Sequence, residues 1–259
     1  MLASVTEPLD RADINALIED ASEQLGVVRE LYHKTLQEKE ASQRLKTRIK
    51  NVLENQRSAL EYTAHAIVQR HGDPKCHSYY PVARSPSEFR RAFKRTLPGI
   101  KSNAVREAIE ARQPYQRGYE WLGHLVTLTN ENKHRRLTPQ QRKETKMIET
   151  KGPGGGQIGY TEGVTFLPGD QGISVSPGGS ISFGPGGSIG FGPEGTLVSG
   201  VPMDPRTQRP VATPGATVEE IVYVDWLFED PQLSALGTLG RIQDSLPALI
   251  AEVLAVSGL

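Results

Sequence analysis

Hydrophobic residues in the first third of the chain recur every three or four positions, which is the spacing of one face of an α-helix. One run extends from Ile14 to Leu36 and a second from Leu45 to Val68. Gly72 and Pro74 then interrupt the pattern, and both residue types end helices. Two long amphipathic helices in succession predict an antiparallel helical hairpin.

Shorter helices are predicted in the middle of the chain. The sequence Ser85-Pro86-Ser87-Glu88 is typical of a helix start, because the serine can accept a hydrogen bond from the first turn and the glutamate can reach back. Another helix is predicted to begin with Asn103 as its cap, and a further one to run from about Tyr119 to Arg136.

The pattern changes after Lys151, where glycine becomes frequent and an eight-residue repeat appears. Its three copies are ISVSPGGS at 173–180, ISFGPGGS at 181–188 and IGFGPEGT at 189–196. Each copy has apolar residues two positions apart, which is typical of a short strand with one buried face, followed by proline and glycine, which favour a turn. The composition is also compatible with glycine-rich disorder. We favour ordered strands in an antiparallel meander or a short solenoid, with Ile181 opposite Phe191 in the meander.

The last part of the chain predicts a strand and then a helix. Residues 220–228 have strand composition, and Asp230-Pro231 precedes a leucine-rich stripe that needs an apolar partner. The N-terminal hairpin is the obvious one. The sequence therefore predicts an α+β fold: a mainly α-helical bundle over 1–150, a glycine-rich β insertion over 151–228, and a C-terminal helix over 229–259 that packs back on the bundle.

The net charge of zero conceals an uneven distribution along the chain. Residues 84–146 carry a net charge of +9, whereas residues 151–259 carry −7. Such a basic stretch attracts the phosphates of a nucleic acid. The alternative is that it pairs with the acidic C-terminal third of the same chain.

Several functional classes find no support in the sequence. Cys76 is the only cysteine, so an intramolecular disulfide is excluded, and its neighbours match no familiar zinc spacing. We find no nucleotide-binding loop or hydrolase motif, no apolar signal core and no stretch long enough to span a bilayer. We therefore expect a cytoplasmic protein without metal, cofactor or membrane contact.

The densest polar cluster lies at residues 130–136. If this segment is helical, Asn130, Lys133 and His134 share one face. Histidine can transfer protons near neutral pH and lysine can bind phosphate, so these three residues are candidate catalytic residues. The alternative is a structural role, in which Asn130 and His134 bond backbone groups at the end of the helix.

Several short motifs stand out along the chain: NQRSALEY at 55–62, YPV at 80–82, QPY at 113–115 and NxxKHRxL at 130–137. They resemble those of a group of uncharacterised bacterial proteins with a HEPN-like helical bundle. The resemblance covers roughly residues 45–140 and, more loosely, 220–255. Many HEPN domains are metal-independent ribonucleases that act as dimers and carry an arginine and a histidine separated by four to six residues. Arg117 and His124 have that spacing and, on one helix, would lie two turns apart on one face.

Two functional hypotheses follow. In the first, this HEPN-like protein binds or cleaves RNA: a histidine moves the proton while Arg117, Lys133 or Arg135 holds the phosphate. In the second, it is a non-catalytic interaction or structural protein that presents the glycine-rich β repeat. The candidate partners are RNA and a second copy of the chain.

Overall fold

The computed structural model describes residues 11–36, 38, 40–134, 140–177, 179–192 and 195–259, without the side chains of 132–134. Its described residues form six helices and ten strands. The helices are α1 (Arg11–Thr35), α2 (Gln43–His71), α3 (Pro86–Thr96), α4 (Asn103–Glu110), α5 (Glu120–His134) and α6 (Ala235–Val256). The strands are β1 (Gln140–Lys151), β2 (Gln157–Thr161), β3 (Val164–Phe166), β4 (Ile173–Val175), β5 (Ile181–Phe183), β6 (Ile189–Gly192), β7 (Gly195–Val198), β8 (Val201–Asp204), β9 (Arg209–Pro210) and β10 (Thr217–Phe228). The predicted α+β class is confirmed.

Serine side chains cap the N-termini of several helices. Ser85 accepts a hydrogen bond from the amide of Glu88 at 3.3 Å, while the Glu88 carboxylate accepts one from the amide of Arg84. The first bond satisfies an amide that the helix itself leaves unpaired, and the second ties the residue before the cap to the first turn. At α4 the predicted cap is wrong by one residue: Ser102 accepts from the amide of Val105, and Asn103 is the first helical residue.

The C-terminal helix packs against the N-terminal hairpin, the contact that its leucine stripe predicts. Leu239, Ile242 and Leu246 are fully buried in one cluster with residues of α1 and α2. Full burial of such a side chain stabilises the fold by roughly 1.5–3 kcal/mol. Among the described helices, none is both long and apolar enough to cross a membrane.

The chain divides into two compact units. The helical unit contains the described residues up to Arg142 together with Asp225–Leu259, and the β unit is Lys143–Val224. The first boundary between the units therefore falls within β1, close to the predicted boundary at 150. The second falls within β10, close to the predicted boundary at 228. Strand β1 itself was missed, because its many charged residues hide the alternation of a strand.

The three repeats form antiparallel strands, but they do not pair with one another. Strand β4 pairs with β3, β5 with β2, and β6 with β7. Both the meander and the solenoid predictions are therefore wrong, and Ile181 lies opposite Tyr160 rather than Phe191.

The glycines between the repeats explain this pairing. A Cβ added to Gly179 would lie 2.5 Å from the carbonyl carbon of Gly163, and one added to Gly187 would overlap the carbonyl oxygen of Gln157. Each connection thus runs directly against another part of the β unit, which only glycine permits.

The apolar positions of the repeats also divide into two sets. Ile173, Ile181 and Ile189 are half-buried against a cluster that contains Tyr160, Phe166 and Val198. The equivalent second positions are exposed instead: Val175 by 52%, Phe183 by 60% and Phe191 by 54%. The prediction that all six residues share one buried face is therefore wrong, because this small cluster covers only the first apolar residue of each strand.

Candidate functional site

A cleft in the helical unit brings together ionisable side chains from α5 and α6. Its volume is about 330 Å³. The side of α5 contributes Glu120, Trp121 and His124, and the first turns of α6 contribute Ser234, Thr238 and Arg241. Since Glu120 and His124 are four residues apart on one helix, they lie on the same face.

The environment of His124 favours its neutral form. Partial burial lowers the pKa of this imidazole below its ordinary value of 6.5, and the negative charge of Glu120 opposes the shift only in part. A neutral imidazole can accept a proton, which is the property that a general base needs.

The carboxylate of Glu120 remains charged beside it. The backbone amides of Glu120 and Gly118 lower the pKa of this carboxyl group, and the positive charge of Arg241 acts in the same direction. The amide of Gly118 donates to Glu120 at 3.2 Å. The cleft therefore holds a proton acceptor, a carboxylate and a guanidinium group.

The start of α6 is held in place by its capping serine. Ser234 accepts a hydrogen bond from the amide of Gly237 at 3.1 Å and donates one to the carboxylate of Asp225 at 3.2 Å. Partial burial raises the pKa of Asp225. This capping contact fixes the first turn of the helix that carries Arg241.

Arg117 and His124, which the spacing in the sequence suggested as a pair, do not lie in one site. Arg117 is exposed in a turn before α5, and Gly118 with φ of +90° lies between it and the helix. The prediction that Arg117 and His124 share one helix face is therefore wrong, and Arg117 does not line the cleft. Asn130 is exposed on α5, about 9 Å further along the helix axis than His124. The side chains of Lys133 and His134, and the whole of Arg135, lie outside the described residues.

Arg241 was missed by the sequence analysis. It is one of three charged residues in α6, with Asp244 and Glu252. A cation in so apolar a helix is unusual, but nothing local indicates that it lies beside His124. Only the packing of α5 against α6 brings these two side chains to one cleft.

The motif at 55–62 has structural contacts. Gln56 is fully buried and donates hydrogen bonds to the carbonyl of Leu239 and to Gln243, both in α6. Arg57 and Glu61 form an ion pair along α2, and Glu61 also accepts from the amide of Tyr80 at 2.7 Å. These contacts tie α2 to α6 and to the segment that follows it.

The motif at 113–115 has a similar role. Gln113 is fully buried, accepts from the amide of Ala83 at 2.9 Å, and donates to the carbonyls of Pro81 at 3.0 Å and Ile109 at 3.1 Å. A glutamine in this position satisfies backbone groups that no helix or strand pairs. Two of the motifs that carry the family resemblance therefore serve the fold.

The loop around Cys76 is also accounted for by hydrogen bonds. Asp73 accepts from the amide of Lys75 at 3.1 Å and from the thiol of Cys76 at 3.4 Å, and His71 bonds the carbonyl of Ser257. Within the described ranges, no three His, Cys, Asp or Glu side chains come close enough to hold a metal ion.

The outer face of α3 is strongly basic. Phe89 and Phe93 are buried, while four cations of the same helix are exposed: Arg90, Arg91, Lys94 and Arg95. None of these four forms an ion pair with another described residue.

Elsewhere in the basic stretch, two cations do pair with the acidic C-terminal third. Arg112 pairs with Glu252, and Lys146 lies 3.8 Å from Glu220. The intramolecular explanation of the basic stretch therefore applies to Arg112 and Lys146 and leaves the cations of α3 unexplained.

Comparison of the chain with models of known protein families, with curated protein sequences and with solved structures finds no match.

Proposed function

We propose that this protein binds RNA, as the resemblance to HEPN-like bundles suggests, and that the basic face of α3 is the binding surface. The observation that carries the proposal is the set of four exposed cations on one helix that have no acidic partner among the described residues. Phosphate contacts from lysine and arginine supply most of the sequence-independent affinity of a protein for nucleic acid.

Charge reversal tests this proposal. The double variant Arg91→Glu/Arg95→Glu should weaken binding of a labelled single-stranded RNA. It should also reduce the dependence of log K on log salt concentration by about 0.7 for each phosphate that the variant no longer neutralises. The matched control is Arg29→Glu/Lys34→Glu, which changes the net charge equally at exposed positions of α1. Equal weakening in both variants would show that net charge alone attracts the RNA and would contradict a site on α3.

Cleavage is an extension of this proposal, located at the cleft of His124. The neutral imidazole would take the proton of a ribose 2′-hydroxyl while the oxygen of that hydroxyl forms a bond to phosphorus. Arg241 would neutralise the charge of the phosphate. The 5′-oxygen leaves with a proton from solvent, so the products are a 2′,3′-cyclic phosphate and a 5′-hydroxyl. No step needs a metal ion.

The variant His124→Ala separates binding from cleavage. It should abolish formation of the cyclic phosphate and leave RNA affinity unchanged, whereas Arg117→Ala should preserve cleavage because Arg117 does not line the cleft. Cleavage by wild-type protein that persists in His124→Ala would eliminate this cleft as the catalytic centre.

A second candidate function is interaction through the β unit. The equivalent residues Val175, Phe183 and Phe191 are each more than half exposed, and apolar side chains exposed in a regular set are typical of protein contacts. Strands β5 and β6 lie at the ends of their sheets, where backbone groups can pair with another chain. The occupant we propose is a second copy of this chain, because an exposed edge strand can pair with the same strand of another copy. Replacing all three residues with serine should then convert a dimer to a monomer in light scattering, and a wild-type monomer at high concentration would refute it.

A further inference from the structure

Four cations converge on a concavity between α3 and α4. Its volume is about 320 Å³, at the lower end of the usual range for small-molecule sites, roughly 300–1,000 Å³. Arg90 and Lys94 come from α3, Lys101 from the connection, and Arg106 from α4. The concavity and the cleft of His124 share no lining residue.

Local sequence explains this convergence. Arg90 and Lys94 are four residues apart and so lie on one face of α3. Gly99 then turns the chain with φ of +82°, a conformation that glycine adopts without strain. Ser102 caps α4, which places Arg106 one turn into the next helix.

Among the described residues, the charges in the concavity are balanced only weakly. No described acidic residue lines it, and Arg90, Lys94 and Lys101 form no ion pair with a described residue. Arg106 approaches Glu107 only at 3.9 Å, and its buried Nε has no hydrogen-bond partner among the described residues. Like charges that line one concavity repel one another, and a buried donor without an acceptor is costly, so the concavity is suited to an anion.

The other walls of the concavity indicate which chemical class of anion it fits. The first amides of α4 and its dipole favour negative charge. Phe93 and Leu97, both buried, and the partly buried Ile100 form an apolar wall beside the cations, which suits the nonpolar faces of a nucleoside. Four cations exceed the single charge of a phosphodiester and match a phosphomonoester dianion better.

We propose that this concavity binds a terminal phosphate, supplied either by an RNA end or by a free nucleoside monophosphate. The RNA-end form rests on the proposed RNA-binding function, whereas the free-nucleotide form does not. In both forms Arg90, Lys94, Lys101 and Arg106 surround the phosphate.

The test compares one RNA sequence with a 5′-phosphate, with a 3′-phosphate and with hydroxyls at both ends, and it titrates AMP and inorganic phosphate separately. We expect at least one phosphorylated RNA to bind about tenfold more tightly than the hydroxyl form, the equivalent of about one charge-assisted hydrogen bond. The double variant Lys94→Ala/Lys101→Ala should abolish that ratio.

The control is Arg91→Ala/Arg95→Ala, which removes the same total charge, two cations, at positions of α3 that do not line the concavity. It should lower affinity for all RNAs and keep the ratio between them. Equal loss of the ratio in both double variants would overturn the proposal, as would wild-type protein that shows neither a ratio nor AMP binding. Circular dichroism of each variant must match that of the wild type.

The outcomes also distinguish the two forms. A ratio among the RNAs that depends on Lys94 and Lys101 supports an RNA end. Binding of AMP that depends on the same lysines, without any ratio among the RNAs, supports the free nucleotide and eliminates the RNA end. If AMP binds in this way but no RNA does, the proposed RNA-binding function fails and the phosphate site stands.

Discussion

Replacement of Gln113 with alanine tests whether the family-like motifs serve the fold. The change removes a side chain that accepts one hydrogen bond and donates two in a fully buried position. The carbonyl of Ile109 retains a second partner, the amide of Arg112 at 3.2 Å. The amide of Ala83 and the carbonyl of Pro81 lose the side-chain partner that bonds them.

The expected cost follows from these two buried backbone groups. A buried donor or acceptor without a partner costs about 1–3 kcal/mol, and the space left by the side chain adds to the loss. We therefore expect Gln113→Ala to lower the free energy of unfolding by about 3–4 kcal/mol, which is large for one substitution.

Urea unfolding followed by far-ultraviolet circular dichroism measures this loss, because the helical unit dominates the signal. Gln116→Ala is the control: the side chain is partly exposed and has no described hydrogen bond, so its effect should be within about 0.5 kcal/mol. A loss below about 1 kcal/mol for Gln113→Ala would refute the structural role. Unchanged RNA affinity of the folded variant would complete the case against a direct role in binding.

Three further predictions follow from the structure. Gly187→Ala should destabilise the β unit because the added methyl group overlaps Gln157, and faster amide exchange in β2 and β5 would report this loss. The control is Gly154→Ala, whose Cβ meets nothing within 4 Å and which should leave amide exchange unchanged. Leu246→Ala should cost about 2–5 kcal/mol in urea unfolding because Leu246 is fully buried, and an effect no larger than that of the partly buried Leu236→Ala would contradict the packing of α6. The pKa of His124 is lowered in the folded state, so the unfolded chain binds more protons and the contribution of His124 to stability is lost as the pH falls below about 6.5. The difference in melting temperature between wild type and His124→Gln should therefore depend on pH between 5 and 7. A difference that stays constant over this range would contradict the lowered pKa.

The helices follow from local sequence. Spacings of three and four residues place Leu45, Ile49 and Val52 on one face of α2 wherever that helix lies, and Ser85 with Glu88 caps α3 through bonds within a few residues. The apolar stripe of α6 needed a large partner, and the N-terminal hairpin was the one available. These inferences succeed because each depends on neighbouring residues or on the amount of apolar surface to be buried.

The pairing of the repeats depends on tertiary structure. Ile173, Ile181 and Ile189 occupy equivalent positions in similar repeats, so the repeat pattern itself cannot specify which strand pairs with which. The choice of β3, β2 and β7 as partners is made by distant residues and by glycines that allow close approach to them. The composition of the candidate cleft also depends on tertiary structure. His124 could be selected from the sequence for its residue type, but the packing of α6 beside α5 brings Arg241 into the cleft and the turn at Gly118 keeps Arg117 out of it. Contacts between residues far apart in the chain leave no periodic signal in the sequence, so only the tertiary structure shows them.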